Sequence, residues 1–80
     1  MSPAQRKRNG LAEVAMPLLR RLSEDWQSEV HATEGLTFPV ATLEAAERGG
    51  FAERRRHWLT RQPQVRLTVA AYDRHRFGLA

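Results

Sequence analysis

Arg48-Gly49-Gly50-Phe51-Ala52-Glu53-Arg54-Arg55-Arg56-His57-Trp58-Leu59-Thr60-Arg61 joins a glycine pair, three consecutive arginines and two large aromatics within fourteen residues. At roughly 100° per residue, Phe51, Ala52, Trp58 and Leu59 share one side of a helix. Glu53, Arg54, Arg56, His57 and Thr60 then point away. Arg55 falls among the apolar positions, where its aliphatic stem covers Phe51 and Trp58 while its charge reaches water. The stretch predicts a helix over 51–61, docked by aromatics and presenting a cationic face.

Upstream, Pro39 suits the first turn of a helix that runs to Arg48 with Val40, Leu43 and Ala46 along a narrow apolar edge. Gly49 fits the left-handed position after that helix, and Phe51 the apolar contact that accompanies such a cap. Residues 39–61 therefore read as helix, glycine turn, helix. Ala46-x-x-x-Gly50-Phe51, with Leu59 further on, resembles the small-residue, glycine and apolar spacing of DNA-binding helix-turn-helix units. The small residue lets two helices approach, the glycine makes the turn, and the apolar positions hold the second helix. The sequence departs from that pattern at Arg56, where an inward apolar residue belongs, and at Gly49.

Downstream, Gln62-Pro63 breaks the pattern. Val65, Leu67, Val69 and Ala71 alternate with Arg66, Thr68, Ala70 and Tyr72, which is strand periodicity. Pro63 at a start, Arg74, His75 and Arg76 in a last turn and Gly78 beyond are helix punctuation. A strand here needs a partner, and only Leu36–Phe38 offers one, so the expectation is a helix over 64–77. A two-stranded pairing is the alternative.

The first half holds the clearest helical stripe: Leu11, Val14, Ala15, Leu18, Leu19, Leu22, Trp26 and Val30, predicting a helix over 11–30. Pro17 lies inside it, removes a backbone hydrogen bond, and predicts a kink or a fresh start. Residues 31–38 form a connection. Residues 1–10 read as a flexible basic tail and 11–80 as a single helical domain. The expected fold is all-α, a small bundle of three to four helices containing the helix-turn-helix-like hairpin. The alternative is α+β with one short two-stranded pairing. The expected core is Leu18, Leu22, Trp26, Leu43, Phe51, Trp58, Leu59, Val69 and Tyr72.

Eighty residues without cysteine make one modest core with no disulfide or thiolate metal site to reinforce it. About a dozen large apolar side chains, at ~1.5–3 kcal/mol each when buried, stand against the chain entropy. A core this thin favours a homodimer or a complex with a partner protein. No long apolar run is present, so no membrane association is expected, and the lack of cysteine and of a leader points to the cytoplasm. The net charge of +4 is unevenly spread: +3 over residues 1–10, −5 over 11–47 and +6 over 48–80. Twelve of the thirteen cations are arginines, which suit bidentate contacts with phosphate or carboxylate.

Nothing in the sequence has the form of a catalytic or cofactor site. His31, His57 and His75 are far apart, and none has metal-ligand spacing with another His, Asp or Glu. Ser23, Ser28 and the threonines lack a nucleophile context, and no glycine-rich phosphate loop follows a strand. The expectation is a non-enzymatic binding module with no cofactor and no metal. It binds either DNA or a partner protein. In the first case Arg48, Arg54, Arg56 and Arg61 form the phosphate-facing surface, joined by Arg6, Lys7 and Arg8 of the tail. In the second, the chain is a regulatory subunit or inhibitor that docks through aromatic and arginine side chains.

Overall fold

The computed structural model describes residues 2–68, and they form an α+β fold rather than an all-α bundle. In chain order the elements are α1 (Pro3–Leu19), β1 (Gln27–Ser28), α2 (Glu29–Ala32), α3 (Pro39–Arg48), β2 (Ala52–Arg56) and β3 (Pro63–Leu67). The strands make one antiparallel sheet in the order β1-β3-β2. β3 pairs with β2 from Ala52↔Leu67 to Arg56↔Pro63, and with β1 at Gln27↔Val65 and Ser28↔Gln64.

The expected helix over 11–30 is displaced toward the N-terminus. α1 takes in Pro3–Gly10, the segment expected to be a tail, and stops two residues after Pro17. Proline cannot donate to the carbonyl four residues back, so the helix is already weakened there. The chain then tightens, Arg21 N donating to Leu18 O at 2.9 Å and Leu22 N to Leu19 O at 3.3 Å. Polar side chains hold the segment that follows. Ser23 N donates to Gln27 Oε1 at 3.0 Å, Gln27 Nε2 to Arg21 O at 3.2 Å, and Asp25 N to Ser23 Oγ at 3.2 Å. Leu67 N then donates to Ser23 O at 2.9 Å, tying this turn to β3.

α3 matches its expected bounds, and its end is a Schellman cap with the two glycines in unexpected roles. Phe51 N donates to Ala46 O at 2.9 Å and Gly50 N to Glu47 O at 3.0 Å. The left-handed residue is Gly50, at φ +74°; Gly49 keeps φ −76°. Gly49 is required for closeness instead, because a Cβ there would run into the Phe51 ring.

Beyond that cap the expected helix over 51–61 is a strand and a turn. No helix-turn-helix spans 39–61, because the glycine turn leads into β2. The start of the expected helix over 64–77 is β3, whose partners are β2 and β1 rather than Leu36–Phe38; its remainder lies outside the described residues. The core joins Ala15, Leu18, Leu19 and Leu22 to Leu43, Ala45 and Ala46 of α3 and to Ala52, Val65 and Leu67 of the sheet. Leu11, Leu36 and Phe51 pack against it half-buried. Leu18, Leu22 and Leu43 are thus core as expected. Trp58 and Leu59 are not: they are 79% and 66% exposed, because they lie in the hairpin turn. Val14 and Val30 of the expected stripe are also exposed. Val69 and Tyr72 lie outside the described residues.

Candidate nucleic-acid interface

The β2–β3 hairpin carries five of the eleven lysines and arginines of the described residues, and strand alternation divides it into two faces. Ala52, Arg54 and Arg56 share a face with their partners Leu67, Val65 and Pro63. Glu53 and Arg55 share the other with Arg66 and Gln64.

On the core side, Arg54 is committed to the fold. Its Nε donates to Glu29 Oε2 at 2.9 Å and its Nη2 to Glu29 Oε1 at 3.2 Å, while Nη1 reaches Glu47 Oε1 at 3.4 Å. The side chains are 31% exposed for Arg54 and 11% for Glu29. The hydrogen bond to the Glu29 carboxylate raises the Arg54 pKa above the ordinary arginine value, with burial opposing it.

On the opposite face, Trp26 is half-buried and receives two arginines. The Arg55 guanidinium carbon lies 4.2 Å from its ring centroid and that of Arg66 lies 4.6 Å away. Arg55 Nε also donates to Gln64 Oε1 at 2.8 Å. Arg66 meets Glu53 at 3.5 Å, and its buried Nε has no hydrogen-bond partner among the described residues. Arg55 therefore does not lie over Phe51 and Trp58, and Trp26 serves as an anchor for arginines rather than as core.

The tip, residues 57–62, lies beyond the last pair, Arg56↔Pro63. His57 N donates to Gln62 O and Arg61 N to His57 O, both at 2.9 Å. The His57 Nδ1 accepts from Leu59 N at 3.1 Å and from Thr60 N at 3.2 Å. Arg56 Nη1 donates to Arg61 O at 3.1 Å, and Arg61 itself is left-handed at φ +64°.

The expected site residues therefore fall into three groups. Arg56 and Arg61 meet at the hairpin tip. Arg54 stands behind them, paired with carboxylates. Arg48, at the end of α3, lies 4.0 Å from Glu44 and lines an open cleft of about 550 Å³ with Lys7, Leu11 and both glycines of the turn. Arg6 and Lys7 are exposed on α1, and Arg8 is in the same helix. Arg55, Arg66 and Trp26 were not among the expected site residues. The alternation of Val65 and Leu67 with Arg66 is the signal that leads to them.

Among the described residues no group of three or more His, Asp or Glu side chains could hold a metal ion. No described helix is long and apolar enough to cross a membrane. No protein-family model, no curated protein and no solved structure matches the chain.

Proposed function

We propose that this chain is a small non-enzymatic module that binds DNA through the β2–β3 hairpin, the arginines acting on the phosphate backbone. One observation carries this reading. Arg55, Arg56 and Arg61 are exposed within one hairpin and have no carboxylate partner among the described residues, whereas Arg48 and Arg66 each have one and Arg54 has two. Two of the three are also pre-ordered: Arg55 by Trp26 and Gln64, and Arg56 by the Arg61 carbonyl. Held cations lose less freedom on meeting phosphate than mobile ones.

The major groove admits a two-stranded ribbon as well as a helix. α2 and α3 are consecutive helices, but the exposed residues of α3 include Glu44 and Glu47 beside Arg48, which disfavours phosphate along its length. The charged side chains of the hairpin, five arginines and one glutamate, sum to +4. Lys7 and Arg48, which line one cleft, form a second cationic region.

Titrating a labelled duplex at several salt concentrations tests the reading. Each phosphate neutralised contributes a slope of about −0.9 in log K against log salt. Arg56→Ala with Arg61→Ala should reduce that slope by about two without altering the circular dichroism. A folded protein that binds no duplex at low salt would remove DNA binding. The remaining reading is a regulatory subunit or inhibitor of a partner protein, supported by exposed Val30, Phe38 and Val40 around α2 and α3.

A further inference from the structure

The hairpin tip places its largest apolar side chains in water between cations. Trp58 and Leu59 are exposed, while Arg56 and Arg61 bracket them in the chain. Burial in the chain's own core does not account for the indole there. It is nevertheless held: the His57 ring stacks on it, centroids 5.9 Å apart and planes 21° from parallel. That imidazole is itself fixed, since its Nδ1 accepts the backbone N–H groups of Leu59 and Thr60. The indole thus stacks on a fixed imidazole in the turn that joins Arg56 to Arg61, both of which lack carboxylate partners among the described residues.

Resting on the reading of a phosphate-binding hairpin, we propose that Trp58 is a base-stacking residue and that the preferred ligand is nucleic acid with unpaired bases. Aromatic side chains stack on nucleobases whatever their sequence, and a cationic groove alongside tracks the backbone. In an intact duplex each base already stacks on its neighbours, so an indole must unstack a step to reach one. In a single strand or a bulge a base face is open. Arg56 and Arg61 then hold the phosphates flanking the base that Trp58 covers. Charge complementarity favours this occupant over an apolar protein surface, which would have to desolvate the same arginines.

The full chain would be titrated by fluorescence anisotropy against a labelled duplex of about 20 base pairs, the same duplex with a central bulge, and one strand alone. Trp58→Ala should weaken binding to the strand and the bulge by roughly 5- to 150-fold, the equivalent of one stacked base, and change duplex affinity by less than about twofold. Trp58→Phe should keep most of the affinity. Tryptophan emission should fall when the wild type binds the single strand, and Trp58→Phe should abolish that fall. Equal weakening on all three ligands, or none, overturns base stacking while leaving the phosphate-binding hairpin in place. No binding to any oligonucleotide at low salt overturns both. Self-association abolished by Trp58→Ala, without oligonucleotide binding, would instead identify the tip as a contact between copies.

Discussion

Arg54 grips Glu29 at two points, across a gap of twenty-five residues, and so ties the first strand of the hairpin to the first turn of α2. Glu29 is one of two polar residues buried among the described residues, the other being Thr42. A buried carboxylate without a partner costs far more than a surface one.

Replacing Arg54 by alanine should therefore destabilise the fold by about 1–3 kcal/mol, the range for charge-assisted bonds reduced for the partial exposure of the pair. Arg54→Lys should recover only part, since an ammonium cannot reproduce the two-point contact. Urea unfolding measures both. Unchanged midpoints would mean that the pair contributes nothing.

The same pair fixes the sign of a pH effect. Arg54 has its pKa raised in the fold, so its contribution is complete below the ordinary arginine range and is lost only as pH rises through the higher folded value. Wild type and Arg54→Lys should consequently keep a constant difference in melting temperature between about pH 7 and 10. A difference that shrinks across that window would contradict the assignment.

At the α3 cap the two glycines should fail differently. Gly49→Ala forces a Cβ into the Phe51 ring and should cost about 1–3 kcal/mol, as overpacking does. Gly50→Ala meets no neighbour but must hold φ +74°, at a cost of about 1 kcal/mol. Adding Phe51→Ala should relieve the first variant and not the second. Denaturation of the two singles and two doubles reads this directly.

Arg61 separates folding from binding. A non-glycine residue at φ +64° is mildly strained, so Arg61→Gly should leave stability unchanged or raise it by up to about 1 kcal/mol. The same variant loses one tip cation and should lower the salt slope of DNA binding by about one. Loss of stability would show that the Arg61 side chain supports the turn.

The sequence discloses α3, its glycine cap and the heart of the core, because Leu18, Leu22 and Leu43 stand at helical spacing in segments that are helical or just past a helix end. It misleads over 51–61. The apolar period there depends on Trp58 and Leu59, and both are turn residues whose spacing from Phe51 is coincidental to packing. β2 itself offers almost no strand signal: Ala-Glu-Arg-Arg-Arg has no β-branched residue. Its state is imposed by pairing with β3, a tertiary contact that local periodicity does not encode. The cationic character of the hairpin is legible in the sequence, but which arginines are neutralised is not, since the partners Glu29 and Glu47 come from other elements.

Among the described residues β2 is an edge of the sheet, and β1, the other edge, is only two residues long. An open edge invites another strand to add to it, the first step toward aggregation. Glu53-Arg54-Arg55-Arg56 occupies nearly the whole of β2 with long charged side chains. A second copy docking there antiparallel and centred on Arg55 would set Arg55 against Arg55 and Arg54 against Arg56, like charges directly opposed. The arginine run thus gives a small, disulfide-free protein colloidal protection, independently of any ligand. Neutralising it wholesale would expose the hairpin to strand addition, so loss of solubility must be distinguished from loss of binding when several of these arginines are removed together.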